Sequence, residues 1–114
     1  MATDCLFCKI IAGQVPSNKV YEDELCYAFA DIAPKAAVHD VFVPKEHFAS
    51  TLEVNEQREK LVGHLVRMAA YVAKEKHIDE SGYRLVLNTH ADAGQTVFHL
   101  HLHLIGGQAL GAMA

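Results

Sequence analysis

The chain is 114 residues long, 51% hydrophobic, with ten Lys/Arg against fourteen Asp/Glu and a formal net charge of −4. That length fits a single domain, read here as 1–114, which can bury roughly two thirds of its unfolded surface without staples. With no run of Lys or Arg, a duplex nucleic acid is not an expected partner, and no apolar stretch approaches the roughly 20 residues that cross a bilayer.

The N-terminal segment MATDCLFCKI lacks a basic stretch followed by an apolar one, so no secretory leader is expected. Three cysteines, an odd number, argue against a disulfide framework and for a reducing, cytoplasmic setting. Residues 5–11 are short and apolar, ahead of Gly13 and Pro16, and predict a turn or two of helix. Residues 19–22 and 25–30 predict two strands around Asp23-Glu24. The second, LCYAFA, is apolar enough to be covered on both faces. A turn containing Pro34 leads to a β-branched and aromatic strand over 38–43. Leu61, Leu65, Met68 and Val72 mark the buried stripe of one long helix, expected over 53–77. Residues 83–88 predict a strand, 89–96 a polar loop, and 97–105 the last strand. The expected fold is therefore α+β: a mainly antiparallel sheet with the long helix on one face.

Eight histidines are unusual for this length, and three fall in Phe98-His-Leu-His-Leu-His-Leu104. Side chains on a strand alternate faces. His99, His101 and His103 are thus expected on one face, about 6.6 Å apart, with Phe98, Leu100, Leu102 and Leu104 in the core. Imidazole suits phosphorus chemistry near neutral pH: one neutral nitrogen attacks, and a protonated one holds an oxyanion. The attacking ring needs its proton on the other nitrogen, which a backbone carbonyl at Nδ1 would fix. Three adjacent rings should also drive their pKa values apart, giving one cationic and one neutral ring. The same spacing is compatible with a three-histidine hydrolytic zinc site or a plain polar sheet face.

FHLHLHLIGG resembles the histidine-triad signature, in which three histidines alternate with apolar residues. CLFCKIIAGQVPS, YAFADIAPKAAVHDVFVPKEHF and GYRLVLNTHADAGQTV match further blocks in order, so the likeness runs from Cys5 to about Gly107. The Ile-Gly-Gly ending resembles the Hint branch of that family, the histidine-triad nucleotide-binding proteins. The resemblance implies a five-stranded sheet with one long and one short N-terminal helix, joined to a second sheet across a homodimer. It implies a purine nucleotide substrate, and hydrolysis of a nucleoside phosphoramidate at the α-phosphorus through a nucleotidyl-histidine intermediate. By the same likeness His101 is the nucleophile, His103 holds a phosphate oxygen, His99 completes the triad and His39 supports it. Asn88 would bind the phosphate, and Gly94, Gln95 and Thr96 would present backbone N–H groups and a hydroxyl to it. Asp31 would take the ribose, although Asp is favoured in a turn before proline in any case. Phe7, Ile10, Val15, Phe29 and Ile32 would form the base slot, or else belong to ordinary core.

The Cys5-x-x-Cys8 pair adds a metal question. Two thiols fall short of the four ligands of a closed zinc site, so histidines must supply the rest. Some relatives with this pair bind zinc, and the matching ligands here are Cys5, Cys8, His47 and His99. The zinc would be structural, with no cofactor needed for the chemistry. A redox pair would sit between a strand and a helix, and no strand precedes it. His64, His77 and His90 are read as surface residues. The tail QALGAMA leaves the pattern of longer-tailed members, and leaving-group preference with it. Alternatives to the phosphoramidase are a nucleotide-binding regulatory module with little turnover, a dinucleoside polyphosphate hydrolase, and a metal-dependent hydrolase.

Overall fold

A computed structural model describes residues 4–113. Residues 1–3 and 114 lie outside it, and with them part of the segment read for a leader. The elements are α1 (Leu6–Ile11), β1 (Lys19–Glu22), β2 (Cys26–Ala30), β3 (Val38–Pro44), α2 (Glu56–Glu75), β4 (Tyr83–Leu87) and β5 (Leu102–Gly106), with short 3₁₀ turns at Thr51–Glu53 and Ala91–Ala93. The five strands form one sheet in the order β1-β2-β3-β5-β4, and each neighbouring pair is antiparallel. The expected α+β class and strand count hold.

α2 is shorter than the expected 53–77, because its ends are set by caps. The Asn55 side chain accepts from the Arg58 N–H, which satisfies one of the free donors of the first turn. Glu53 lies before this cap, in the 3₁₀ turn. Lys76 ends the helix, and His77 follows at φ +60. The Lys76 ammonium then donates to Asp40 Oδ2 at 2.6 Å, where the carboxylate side chain is only 2% exposed. A cation at a helix C-terminus thus neutralises an acid buried in β3.

Alternation assigns each strand two jobs. Cys26 and Ala28 of β2, Phe42 of β3, and Leu102 and Leu104 of β5 face α2 and meet Leu65, Ala69 and Val72. Tyr27 and Phe29 of β2, with Val41 and Val43 of β3, face α1 and meet Phe7 and Ile10. β2 is buried on both sides as its composition predicts, although it starts at Cys26 and leaves Leu25 49% exposed. In register, Val41 pairs with His103 and His39 with Ile105. His39 and His103 are therefore diagonal neighbours on the α1 face, where their rings can meet.

The main departure lies at the last strand. It begins at Leu102, and residues 97–99 form bends. Leu100, Leu102 and Leu104 are at most 2% exposed, as expected, but Phe98 is 53% exposed and not in the core. The chain leaves the sheet here because the Leu100 N–H donates to the Phe48 carbonyl and the His99 ring turns to other partners. A period of two cannot anticipate a side chain that bonds off the sheet.

Candidate active site and metal cluster

A cleft of about 300 Å³ opens between α1 and the sheet. All five residues expected in the base slot line it: Phe7, Ile10, Val15, Phe29 and Ile32. Ile32 is 95% exposed and forms the rim, while Phe7 and Phe29 are buried and meet edge to face at 5.5 Å. Asp31, Gly94, Thr96, His101 and His103 line the same cleft. A mostly apolar lining with a few convergent polar groups is the usual form of a small-molecule site. Leu6 and Val41 also line it and were missed. Val41 was readable, since it sits between His39 and Val43 at the period of one strand face.

Three assignments look different in space. Asn88 follows β4 and is not among the cleft-lining residues. The Gln95 side chain is buried, accepting from the His90 N–H and donating to the Ala49 and Val97 carbonyls, so it holds the loop together. The Gly94 and Gln95 backbone N–H groups donate to the carbonyls of Ala91 and His90. Gly94 adopts φ +85, which a side chain would strain.

The hydrogen bonds determine which ring nitrogen carries each proton. His101 Nδ1 lies 2.8 Å from the His99 carbonyl. A carbonyl only accepts, so Nδ1 is protonated and Nε2 keeps its lone pair. The Lys35 N–H donates to His39 Nδ1 at 3.0 Å, which places the neutral His39 proton on Nε2. That proton points to His103 Nδ1 at 2.9 Å, so the His103 proton sits on Nε2. His101 is thereby left as an acceptor and His103 as a donor. The Phe7 ring packs edge-on against His101 at 4.9 Å and limits its rotation.

The expected pair of one cationic and one neutral ring is not what the burial produces. Burial lowers His39, His101 and His103 together, with His103 at about 4 and neighbouring His101 and His39 adding to its shift. The unfolded ring titrates near 6.5. Between those values the unfolded chain binds protons that the folded chain refuses. Stability present above pH 6.5 is therefore lost as pH falls towards 4. From pH 7 to pH 5, His103 is expected to remove about 1–2 kcal/mol, read as a lower urea midpoint. The His103→Gln variant should lose that part of the slope, and an unchanged slope would refute a ring held neutral by burial.

His99 goes elsewhere. It is fully buried, and its Nε2 meets the Pro44 carbonyl at 2.8 Å. Its Nδ1 lies 3.3 Å from Cys5 Sγ, 3.6 Å from Cys8 Sγ and 3.1 Å from His47 Nδ1, and Cys8 Sγ lies 3.4 Å from His47 Nδ1. Zinc bonds of about 2.0–2.3 Å give tetrahedral edges of about 3.3–3.8 Å. Two thiols and two imidazoles at these separations fit that cation. Burial, then the Cys5 thiol, push Cys8 up to about 11, and a divalent cation would reverse this by holding the thiolate. Asp31, His39 and His103 also converge, but the facing nitrogens of the two rings already share a proton. Cys26 is a free thiol buried under α2. His64 on α2 bonds Asp23 Oδ2 at 2.7 Å, tying the helix to the β1–β2 turn, a link no sequence pattern signalled.

A family model described as the scavenger mRNA decapping enzyme C-terminal binding domain matches residues 4–113. The purine nucleoside phosphoramidase of Escherichia coli K12 is 41% identical over 113 residues, covering 99% of this chain and 95% of that protein. Among solved structures, a HIT family hydrolase from Clostridium thermocellum superposes with a TM-score of 0.95 at 45% identity, covering 99% of this chain and 98% of that one. A zinc-bound histidine-triad family protein from Mycobacterium smegmatis superposes with a TM-score of 0.80 at 30% identity, covering 95% and 78%. The chain belongs to the histidine-triad (HIT) family. Within it, the likeness to the phosphoramidase spans nearly the full length of both chains and fits the Hint-type branch.

Proposed function

We propose that this protein is a hydrolase of purine nucleoside phosphoramidates that works through a nucleotidyl-His101 intermediate. One observation carries the proposal: His101 Nδ1 is committed to the His99 carbonyl, so its Nε2 lone pair is free at the wall of a nucleotide-sized cleft. The likeness to the phosphoramidase supports the substrate class.

The base lies in the slot of Phe7, Ile10, Val15, Phe29 and Ile32, where aromatic edges and faces suit a purine. Asp31 accepts from the ribose hydroxyls. Its Oδ1 already accepts from the Ala33 N–H at 2.8 Å, which fixes the carboxylate in place. His101 Nε2 attacks phosphorus, the P–N bond breaks, and its electron pair leaves on nitrogen. His103 Nε2–H donates to a phosphate oxygen as negative charge builds, and His39 holds His103 in that tautomer. Gly94 borders the phosphate side, Gln95 braces the loop that carries it, and Asn88 stands at the root of that loop. His99 has both ring nitrogens engaged and cannot serve as the acid. The leaving nitrogen takes its proton from water, which the exposed Thr96 hydroxyl can hold at the cleft wall. Water then attacks phosphorus, breaks the P–Nε2 bond, and releases the nucleoside monophosphate.

Cys5, Cys8, His47 and His99 would hold a zinc ion. When bound, it would supply structure, cross-linking α1 to the strand ends. We place the protein in the cytoplasm, where its three unpaired thiols would stay reduced. Among the described residues no helix is long and apolar enough to cross a membrane. We also assign a homodimer. β4 lies at the end of the strand order and pairs with β5 alone, which leaves an edge for a second copy. Sedimentation as a monomer at micromolar concentration would remove that assignment.

The test is to quench the reaction of an adenosine phosphoramidate within one turnover and map the adduct by mass spectrometry. A nucleotidyl group on His101 is expected. A binding module with little turnover would give nucleotide binding with no burst, and full activity without an adduct would overturn the mechanism.

A further inference from the structure

A second cavity, of about 450 Å³, adjoins the nucleotide cleft. Leu6, Thr96 and Val97 line both spaces. The second space adds Asp4 and Phe98, and it also borders Cys5 and His47 of the metal cluster. Phe98 is 53% exposed and Leu6 is 44% exposed, so a large apolar surface faces this cavity beside an exposed carboxylate. The bend at residues 97–99 is what turns Phe98 outward, while Leu100 returns to the core at 2% exposure.

We propose that this cavity is the leaving-group subsite, shaped for an amine with an apolar body and a cationic far end. The proposal rests on the phosphoramidase reading above. With the base among Phe7, Ile10 and Phe29, and the phosphorus between His101 and His103, the nucleoside fills one end of the cleft. An in-line displacement sends the leaving atom away from the attacking nitrogen, so the amine must extend from the phosphate where the nucleoside is absent. The second cavity meets the cleft at Thr96 and Val97, which line both. An amine passing Thr96 would lay its apolar part on Leu6 and Phe98 and bring a distal ammonium towards Asp4. An aromatic face and a carboxylate together attract such a cation. The chemical step is unchanged: the P–N bond breaks with its electron pair on nitrogen, water supplies the proton, and the amine departs through the subsite.

The experiment compares three adenosine phosphoramidates: the unsubstituted one, its N-phenethyl derivative, and a phenethyl derivative with an aminomethyl group on the ring. In the Phe98→Ala variant, kcat/KM is expected to fall about tenfold for both substituted substrates, the scale of a lost apolar contact. In Asp4→Asn it should fall about threefold for the cationic substrate alone, and less in high salt, as for an exposed ion pair. Neither variant should change the unsubstituted substrate. Equal losses on all three substrates in Phe98→Ala, or none on any, would overturn the subsite while leaving the phosphoramidase reading in place. Failure of the unaltered protein to turn over any of the three would overturn that reading, and the subsite with it.

Discussion

The His101→Gly variant should lose turnover of an adenosine phosphoramidate by about three orders of magnitude or more, while adenosine monophosphate still binds. The split follows from the geometry. The Phe7 and His103 rings touch His101, but each has a second support: Phe7 packs on Phe29, His39 bonds His103, and the Ala33 N–H holds Asp31. The nucleophilic nitrogen has no such second support, because Nε2 is available only while the His99 carbonyl holds Nδ1. Removing the ring deletes the group that forms the covalent bond and leaves the apolar lining in place. Single-turnover kinetics and calorimetric titration read the two quantities separately. Activity within tenfold of the unaltered protein would refute His101 as nucleophile, and lost nucleotide binding would show that the ring supports the pocket itself.

The Cys5→Ala/Cys8→Ala double variant should lose bound zinc and about 2–4 kcal/mol of stability, the scale expected for a ligand held at 100 to 1,000 times its dissociation constant. For a chain of this size that corresponds to a fall of about 10 °C or more in Tm. Metal analysis and scanning calorimetry, before and after chelation, give the readout. His99 extends the consequence to the cleft. Its Nδ1 belongs to the cluster, its Nε2 meets Pro44, and its carbonyl fixes His101. Metal loss should therefore also perturb the ring resonances of His101. A natively prepared protein with no zinc, and a Tm indifferent to chelators, would falsify the metal assignment.

Much of this organisation was legible in the residues. The apolar run LCYAFA signalled a strand covered on both faces, and in the structure Cys26, Ala28 and Phe42 face α2 while Tyr27, Phe29 and Val41 face α1. The expected tautomer of His101 also appears, since the carbonyl that fixes it lies only two residues back. What alternation could not see is long-range bonding. His99 turns towards Cys5 and Cys8, residues 94 and 91 positions away, and the strand starts only after it has done so. Phe98 leaves the core for the same reason. The shared fall of the histidine pKa values was hidden as well, because repulsion between rings can be read from spacing but burial cannot. The Asp23–His64 and Asp40–Lys76 links join elements far apart in the chain, and neither pair lies at a helical or strand spacing.

The two faces of the sheet carry separate burdens. Leu102 and Leu104 hold the domain together against α2, while His103 between them turns to the opposite side. Improvements in thermal tolerance are often limited by catalysts whose rigid and reactive parts are the same residues. Here the interior beneath α2 can be redesigned for heat resistance, through Leu65, Ala69 and Val72, without reshaping the surface that meets substrate. Directed evolution of this scaffold can therefore select for endurance and for turnover in separate rounds.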